Sequence, residues 1–161
     1  MAHAKAHRLP VAAYRGPVSV VFTACIADHG RPFRDAEVVA AFVELLELAA
    51  LKFGCLVPVY VFMPNHLHLM ITGQHGKSRP KDAMDEFKRL SGMWFGQNCP
   101  GYRWQKNYYD HIVRLSEDWR AQVLYIALNP VRASLATEPL AYPFLGSIGY
   151  DLKEILIDAA W

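Results

Sequence analysis

Residues 18–25, Val-Ser-Val-Val-Phe-Thr-Ala-Cys, form a β-branched and aromatic run between Gly16-Pro17 and Asp28-His29-Gly30, the signature of a central strand. Beyond Asp35, apolar residues recur at Val39, Phe42, Val43, Leu46 and Ala50. These steps of three and four predict a helix over about 36–51, capped by Asp35 and ended at Gly54. Residues 55–62 read as a second strand, Pro64-Asn65 as a turn, and residues 66–72 as a third strand completing a hairpin. Pro80 suits the first turn of another helix, whose buried stripe is Met84, Phe87, Leu90 and Trp94 and whose outward residues are Lys81, Lys88 and Arg89. From residue 98 to 109 the chain is rich in Pro, Gly and aromatics without helical period. This predicts an irregular segment with a short strand around 102–105 and another at 111–115. Ser116, followed by Glu117 and Asp118, predicts the start of a helix running to about Leu128. After Ala133 a tail, about residues 133–161, is expected to pack across the body as a short peripheral helix.

Read in order, these elements resemble a split βαβ sandwich, an α+β fold with helices on one face of an antiparallel sheet. At 161 residues and 53% apolar, the chain is expected to form a single domain over 1–161. That topology hosts many activities and does not select one.

Charge adds a little. The net charge is only +2, yet residues 77–132 hold ten Lys/Arg against six Asp/Glu, while residues 133–161 hold one Lys against four acids. The basic surplus therefore accompanies the middle of the chain, a pattern compatible with a nucleic-acid partner. Three cysteines, Cys25, Cys55 and Cys99, lack CxxC spacing and are odd in number, which argues against a disulfide framework and fits a reducing cytoplasm. No apolar run approaches the roughly 18 residues of a membrane span, and the first eight residues lack the apolar core of a signal peptide.

Chemistry concentrates at Met63-Pro64-Asn65-His66-Leu67-His68. Residues two apart on a strand face the same side, so His66 and His68 aim at one point while Leu67, Leu69 and Ile71 face the core. Partly buried imidazoles need partners that Leu, Met and Val cannot supply, and a cation would satisfy both. Tyr125 and Asn129, four apart on a predicted helix, share one face. An amide oxygen suits a hard ion such as Mg or Mn, and a phenol with a free pKa near 10 needs such a cation nearby to attack a phosphate ester. Tyr108, Tyr109 and Tyr60 are rival nucleophiles. Trp94, Trp104, Tyr102 and Tyr108 lie among Lys88, Arg89, Arg103 and Lys106. Such interleaving can stack unpaired bases and hold phosphates, or equally form a satellite core with snorkelling cations.

Taken together, Met63-Pro64-Asn65-His66-Leu67-His68, Phe87-Lys88-Arg89, Trp104-Gln105 with Tyr108, Asp110 and His111, and Tyr125-Ile126 with Asn129-Pro130-Val131-Arg132-Ala133 resemble the HUH single-tyrosine transposases, especially their REP-associated branch within the IS200-like transposases. The resemblance implies a ferredoxin-like palm and a divalent metal, Mg or Mn, held by His66, His68 and Asn129. It implies Tyr125 as the nucleophile that forms a 5′-phosphotyrosine. Lys88, Arg89, Trp104, Gln105, Tyr108 and Arg132 are then the expected DNA-binding residues, and single-stranded DNA with small hairpins is the expected substrate. Monomer and homodimer both remain open, as does whether the tyrosine helix serves its own subunit. Two other readings stay in view: a catalytically inactive or domesticated single-strand-binding module, for which the histidines are dispensable, and a metallohydrolase, which would need no tyrosine.

Overall fold

The computed structural model describes residues 8–114 and 117–159. Its sheet is built from β1 (Ser19–Cys25), β2 (Cys55–Met63), β3 (His66–Gly73), β4 (Tyr109–Ile112) and β5 (Leu145–Ile148). The helices are α1 (Ala36–Lys52), α2 (Pro80–Asn98), α3 (Trp119–Ala127), the single turn α4 (Asn129–Arg132) and α5 (Leu152–Ala159). All pairings are antiparallel, in the spatial order β4-β1-β3-β2-β5, so the strand carrying the two histidines is central.

Local chemistry explains most boundaries. The Asp35 carboxylate accepts from the Glu37 amide at the start of α1, and Gly54 at φ +68° takes the left-handed conformation that ends it. Along β1 burial alternates: Val20, Phe22 and Ala24 are buried, whereas Ser19, Val21, Thr23 and Cys25 are half-buried on the other side. On α2 the buried stripe is Ala83, Met84, Phe87, Ser91 and Phe95, with Leu90 and Trp94 flanking it half-buried. A serine survives in that stripe because its hydroxyl donates to the Phe87 carbonyl and accepts from the Trp104 indole N–H. Pro58 interrupts β2, whose pairings with β3 and β5 both shift register across it, because proline has no N–H to give either ladder.

The antiparallel α+β sheet is as expected, but helices cover both of its faces rather than one. α1 and α2 pack over Phe22, Leu67, Leu69 and Ile71, and α3 and α5 pack over Val59, Val61, Met63 and Met70. Those four residues on the second face are almost fully buried. Left open to water they would forfeit about 1.5–3 kcal/mol each, so a second layer is required. Part of that layer comes from the tail, which is not peripheral: β5 extends the sheet beside β2, and Tyr142, Leu152, Ile155 and Leu156 join α3 in the second core.

Three smaller differences concern the segment after α2. Around residues 102–105 only a bridge between Ile26 and Trp104 forms, and the next strand occupies residues 109–112. The expected cap Ser116 lies outside the described residues. The cap of α3 is Asp118, which accepts from the amides of Arg120 and Ala121. Leu128 keeps nearly helical backbone, so α3 passes into α4 by a kink, with Pro130 in the first turn of α4 where a missing N–H costs nothing. Among the described residues no helix is long and apolar enough to cross a membrane.

Gly73, at the end of β3, is a point of close backbone approach. A Cβ there would sit 2.0 Å from the Gly16 carbonyl oxygen and 2.8 Å from Ser78 Cβ. Gly73→Ala is therefore expected to lower stability by about 1–3 kcal/mol in urea denaturation. An unchanged midpoint would mean that the 16–18 segment yields freely.

Candidate metal and nucleophile site

The site is assembled from two layers. β3 supplies His66 and His68, whose rings lie on the face away from Leu67, Leu69 and Ile71, with ring centroids 4.7 Å apart and planes perpendicular. Strand register fixes their neighbours on that face: Cys25 and Thr23 from β1 on one side, Met63 and Val61 from β2 on the other. Thr23 Oγ1 lies 2.9 Å from His68 Nδ1, and Asn65 Oδ1 lies 2.7 Å from His66 Nδ1. With both Nδ1 positions occupied, Nε2 of each ring is the atom turned to anything arriving from outside.

Burial also disfavours the charged form of these rings. Desolvation lowers the pKa of His66, and it lowers that of His68 to about 4, assisted by the proximity of His66 and then by the positive charge of Arg132. A neutral imidazole is the form that ligates a metal.

The second layer is α3 and α4. Val123, Ile126 and Ala127 bury one face of α3 against the sheet, which leaves Tyr125 64% exposed on the other. The Arg132 guanidinium stands 4.2 Å from the centre of the Tyr125 ring and donates to the Tyr125 carbonyl at 2.8 Å. Because α3 covers the face of the sheet that carries Val61, Met63 and Met70, the tyrosine turn and the histidine pair stand on the same side of it. Asn129, one turn beyond Tyr125, spends its Nδ2 on the Ile126 carbonyl at 2.9 Å, which leaves its carbonyl oxygen as the atom available to a cation. Two imidazole nitrogens and an amide oxygen suit a divalent ion of the Mg or Mn type less exclusively than an all-oxygen set, but no soft thiolate competes within the set.

The remaining candidates gather elsewhere. Lys88 is not outward: its ammonium donates to the Gln105 carbonyl at 2.9 Å and lies over the Tyr108 ring, because the loop before β4 leaves carbonyls that no strand pairs. Burial lowers its pKa. Gln105 in turn donates its amide to the Cys25 carbonyl. Trp104 packs against Phe33, Phe42, Phe87 and Phe95, so its ring belongs to the core rather than to a base-stacking platform. Tyr108 is 6% exposed and donates its hydroxyl to Asp85, and burial pushes its pKa up, which removes it as a rival nucleophile. Arg89 is exposed and paired with Glu86 at 2.6 Å. Sequence reasoning missed Thr23 and Asn65. Thr23 was legible in principle as a polar residue on the alternate face of β1, but only strand register reveals that it stands opposite His68.

A five-stranded antiparallel sheet with a His-x-His pair on its central strand is thus covered on that face by a helix presenting an exposed tyrosine. The chain belongs to the IS200-like transposases: the model of the family described as "Transposase IS200 like" matches residues 21–126, a span that includes His66, His68 and Tyr125 and ends before Asn129. It is 28% identical over 89 residues to the REP-associated tyrosine transposase of Escherichia coli (strain K12), an alignment covering 53% of this chain and 50% of that protein. The chain thus spans about half the length of the curated relative it matches. A solved structure described as the REP-associated tyrosine transposase bound to a REP hairpin shares the fold, with a TM-score of 0.69 at 20% identity over 82% of this chain and 78% of the other.

Proposed function

We propose that this chain cleaves and rejoins single-stranded DNA at hairpin-bearing repeats, with Tyr125 as nucleophile and a divalent ion held by His66, His68 and Asn129. The observation that carries the reading is the pair of half-buried imidazoles with both Nδ1 atoms engaged, on the face of the sheet covered by the helix that presents an exposed tyrosine. The Tyr125 oxygen attacks phosphorus and the bond from phosphorus to the 3′ oxygen breaks. The leaving oxygen takes a proton as a 3′-hydroxyl, and DNA is left joined to the protein as a 5′-phosphotyrosine. A 3′-hydroxyl attacking that adduct reverses the chemistry, so rejoining needs no nucleotide cofactor. Bound there, Mg or Mn would polarise the scissile phosphate and offset its charge. Arg132, exposed beside the phenol, stabilises the charge that develops on the tyrosine oxygen as its proton leaves. Hairpin DNA is the substrate class because the similar solved protein was bound to a REP hairpin. Free cysteines that are buried or half-buried are consistent with a reducing cytoplasm as the place of action.

The test is to incubate the protein with stem-loop deoxyoligonucleotides and Mn or Mg and to look for a covalent adduct on a denaturing gel. An adduct that chelator abolishes is the expected result. Tight binding without adduct under any metal condition would replace this reading by the single-strand-binding module.

A further inference from the structure

Around the histidine pair the arithmetic of charge is unusual. Both imidazoles bind a metal as neutral ligands, and the groups that hold them, Thr23 and Asn65, are neutral as well. Asn129 offers a neutral amide. Among the described residues no group of three or more His, Cys, Asp or Glu side chains gathers to hold an ion, so no carboxylate completes the set. The charged group described on the tyrosine turn is itself positive, the Arg132 guanidinium stacked on Tyr125. A divalent cation entering this face alone would keep its full charge in a half-buried setting with no carboxylate to offset it, an arrangement that costs desolvation energy and returns little.

We infer that the His66–His68 site takes its divalent ion together with a DNA phosphate rather than before it, with Thr23 and Asn65 fixing both rings so that their Nε2 lone pairs meet the incoming ion. This rests on the function proposed above and adds an order of assembly to it. The phosphodiester supplies the negative charge that the protein withholds. Asn65 and Thr23 supply direction: an amide oxygen facing Nδ1 of His66 can only accept its proton, and the Thr23 hydroxyl, in register with Nδ1 of His68, accepts there whenever Nε2 is given to the ion. Binding of ion and DNA is then coupled, and by linkage each tightens the other by the same factor. A further consequence is discrimination: without its DNA the protein holds the ion at least about tenfold more weakly, so fewer molecules carry one with which to act on other phosphates.

Calorimetry of Mn binding tests this, with Tyr125→Phe used to block cleavage. The titrations compare protein alone, protein with a phosphodiester stem-loop bearing a single-stranded extension, and protein with the same stem-loop whose extension carries neutral methylphosphonate linkages. The phosphodiester oligonucleotide is expected to tighten Mn binding at least about tenfold, and the methylphosphonate one to leave it unchanged. If the stem-loop binds and Mn affinity is the same in all three titrations, the coupling is overturned while the proposed function stands. If no stem-loop binds with or without Mn, both fall. The orienting role has its own readout in ¹⁵N NMR of the metal-free protein: both rings are expected to carry the proton on Nδ1, and an Nε2–H tautomer at either one overturns it. Thr23→Val is expected to weaken Mn binding to the DNA complex about tenfold while metal-free stem-loop affinity is unchanged.

Discussion

Tyr125→Phe is expected to abolish the covalent adduct, lowering strand cleavage by at least about a thousandfold, while the protein stays folded and still binds stem-loop DNA. The substitution removes one oxygen from a ring that is 64% exposed, so no packing is lost. The stack under Arg132 survives, because a guanidinium sits as well on Phe as on Tyr to within a fraction of a kcal/mol. Denaturing gels read the adduct, gel shifts read binding, and thermal melting reads the fold. An adduct that persists would move the nucleophile to Tyr109, which is 47% exposed at the start of β4. Tyr108 is not available for that role, since its hydroxyl is buried and already donated to Asp85.

The second large effect concerns the scaffold. Phe42 is fully buried on α1, and its ring meets those of Phe33, Phe62, Phe87, Trp94, Phe95 and Trp104 at centroid distances of 4.8–6.4 Å. This aromatic block reaches the histidine half of the candidate site, because Phe33 donates its amide to the Pro64 carbonyl at the turn just before His66. Phe42→Ala removes the ring from the middle of the block and leaves a cavity that neighbouring rings cannot fill without leaving their rotamers. Urea denaturation is expected to show a loss of about 3–5 kcal/mol, a large share of the stability of a domain this size. A loss under about 1 kcal/mol would mean that the block collapses around the gap.

How much of this could be read beforehand depends on whether a residue's partner is near in sequence. The helix expected over about 36–51, its Asp35 cap, the hairpin expected over 55–72 and the convergence of His66 and His68 all follow from local period and turn chemistry, and all appear in the structure, the helix as Ala36–Lys52 and the strands as Cys55–Met63 and His66–Gly73. The second layer did not follow, although a signal was present. β2 is apolar on both faces, with Val57 and Phe62 buried toward one core and Val59, Val61 and Met63 toward the other, and a strand buried twice requires two covers. β5 gave no such hint, since Leu-Gly-Ser-Ile has neither alternation nor strong β preference, and its pairing with β2 is set by distant contacts. The site divides in the same way. The ligand candidates stand out by spacing, whereas the folding-back of Lys88 onto the 105–106 carbonyls and the stacking of Arg132 on Tyr125 depend on tertiary geometry.

The two halves of the site are also rooted to different depths. The histidines sit on the middle strand, hydrogen-bonded on both sides, whereas the tyrosine rides a nine-residue helix that the kink at Leu128 separates from the turn that follows. Amides of β3 are therefore expected to exchange with solvent only near global unfolding, and those of α3 through a smaller, local opening, a ranking that native-state hydrogen exchange measures directly. Equal protection of the two would mean they open as one unit. Otherwise mild heat or denaturant is expected to displace the proposed nucleophile while the proposed histidine ligands stay in place, so that the proposed cleavage is lost before metal binding is.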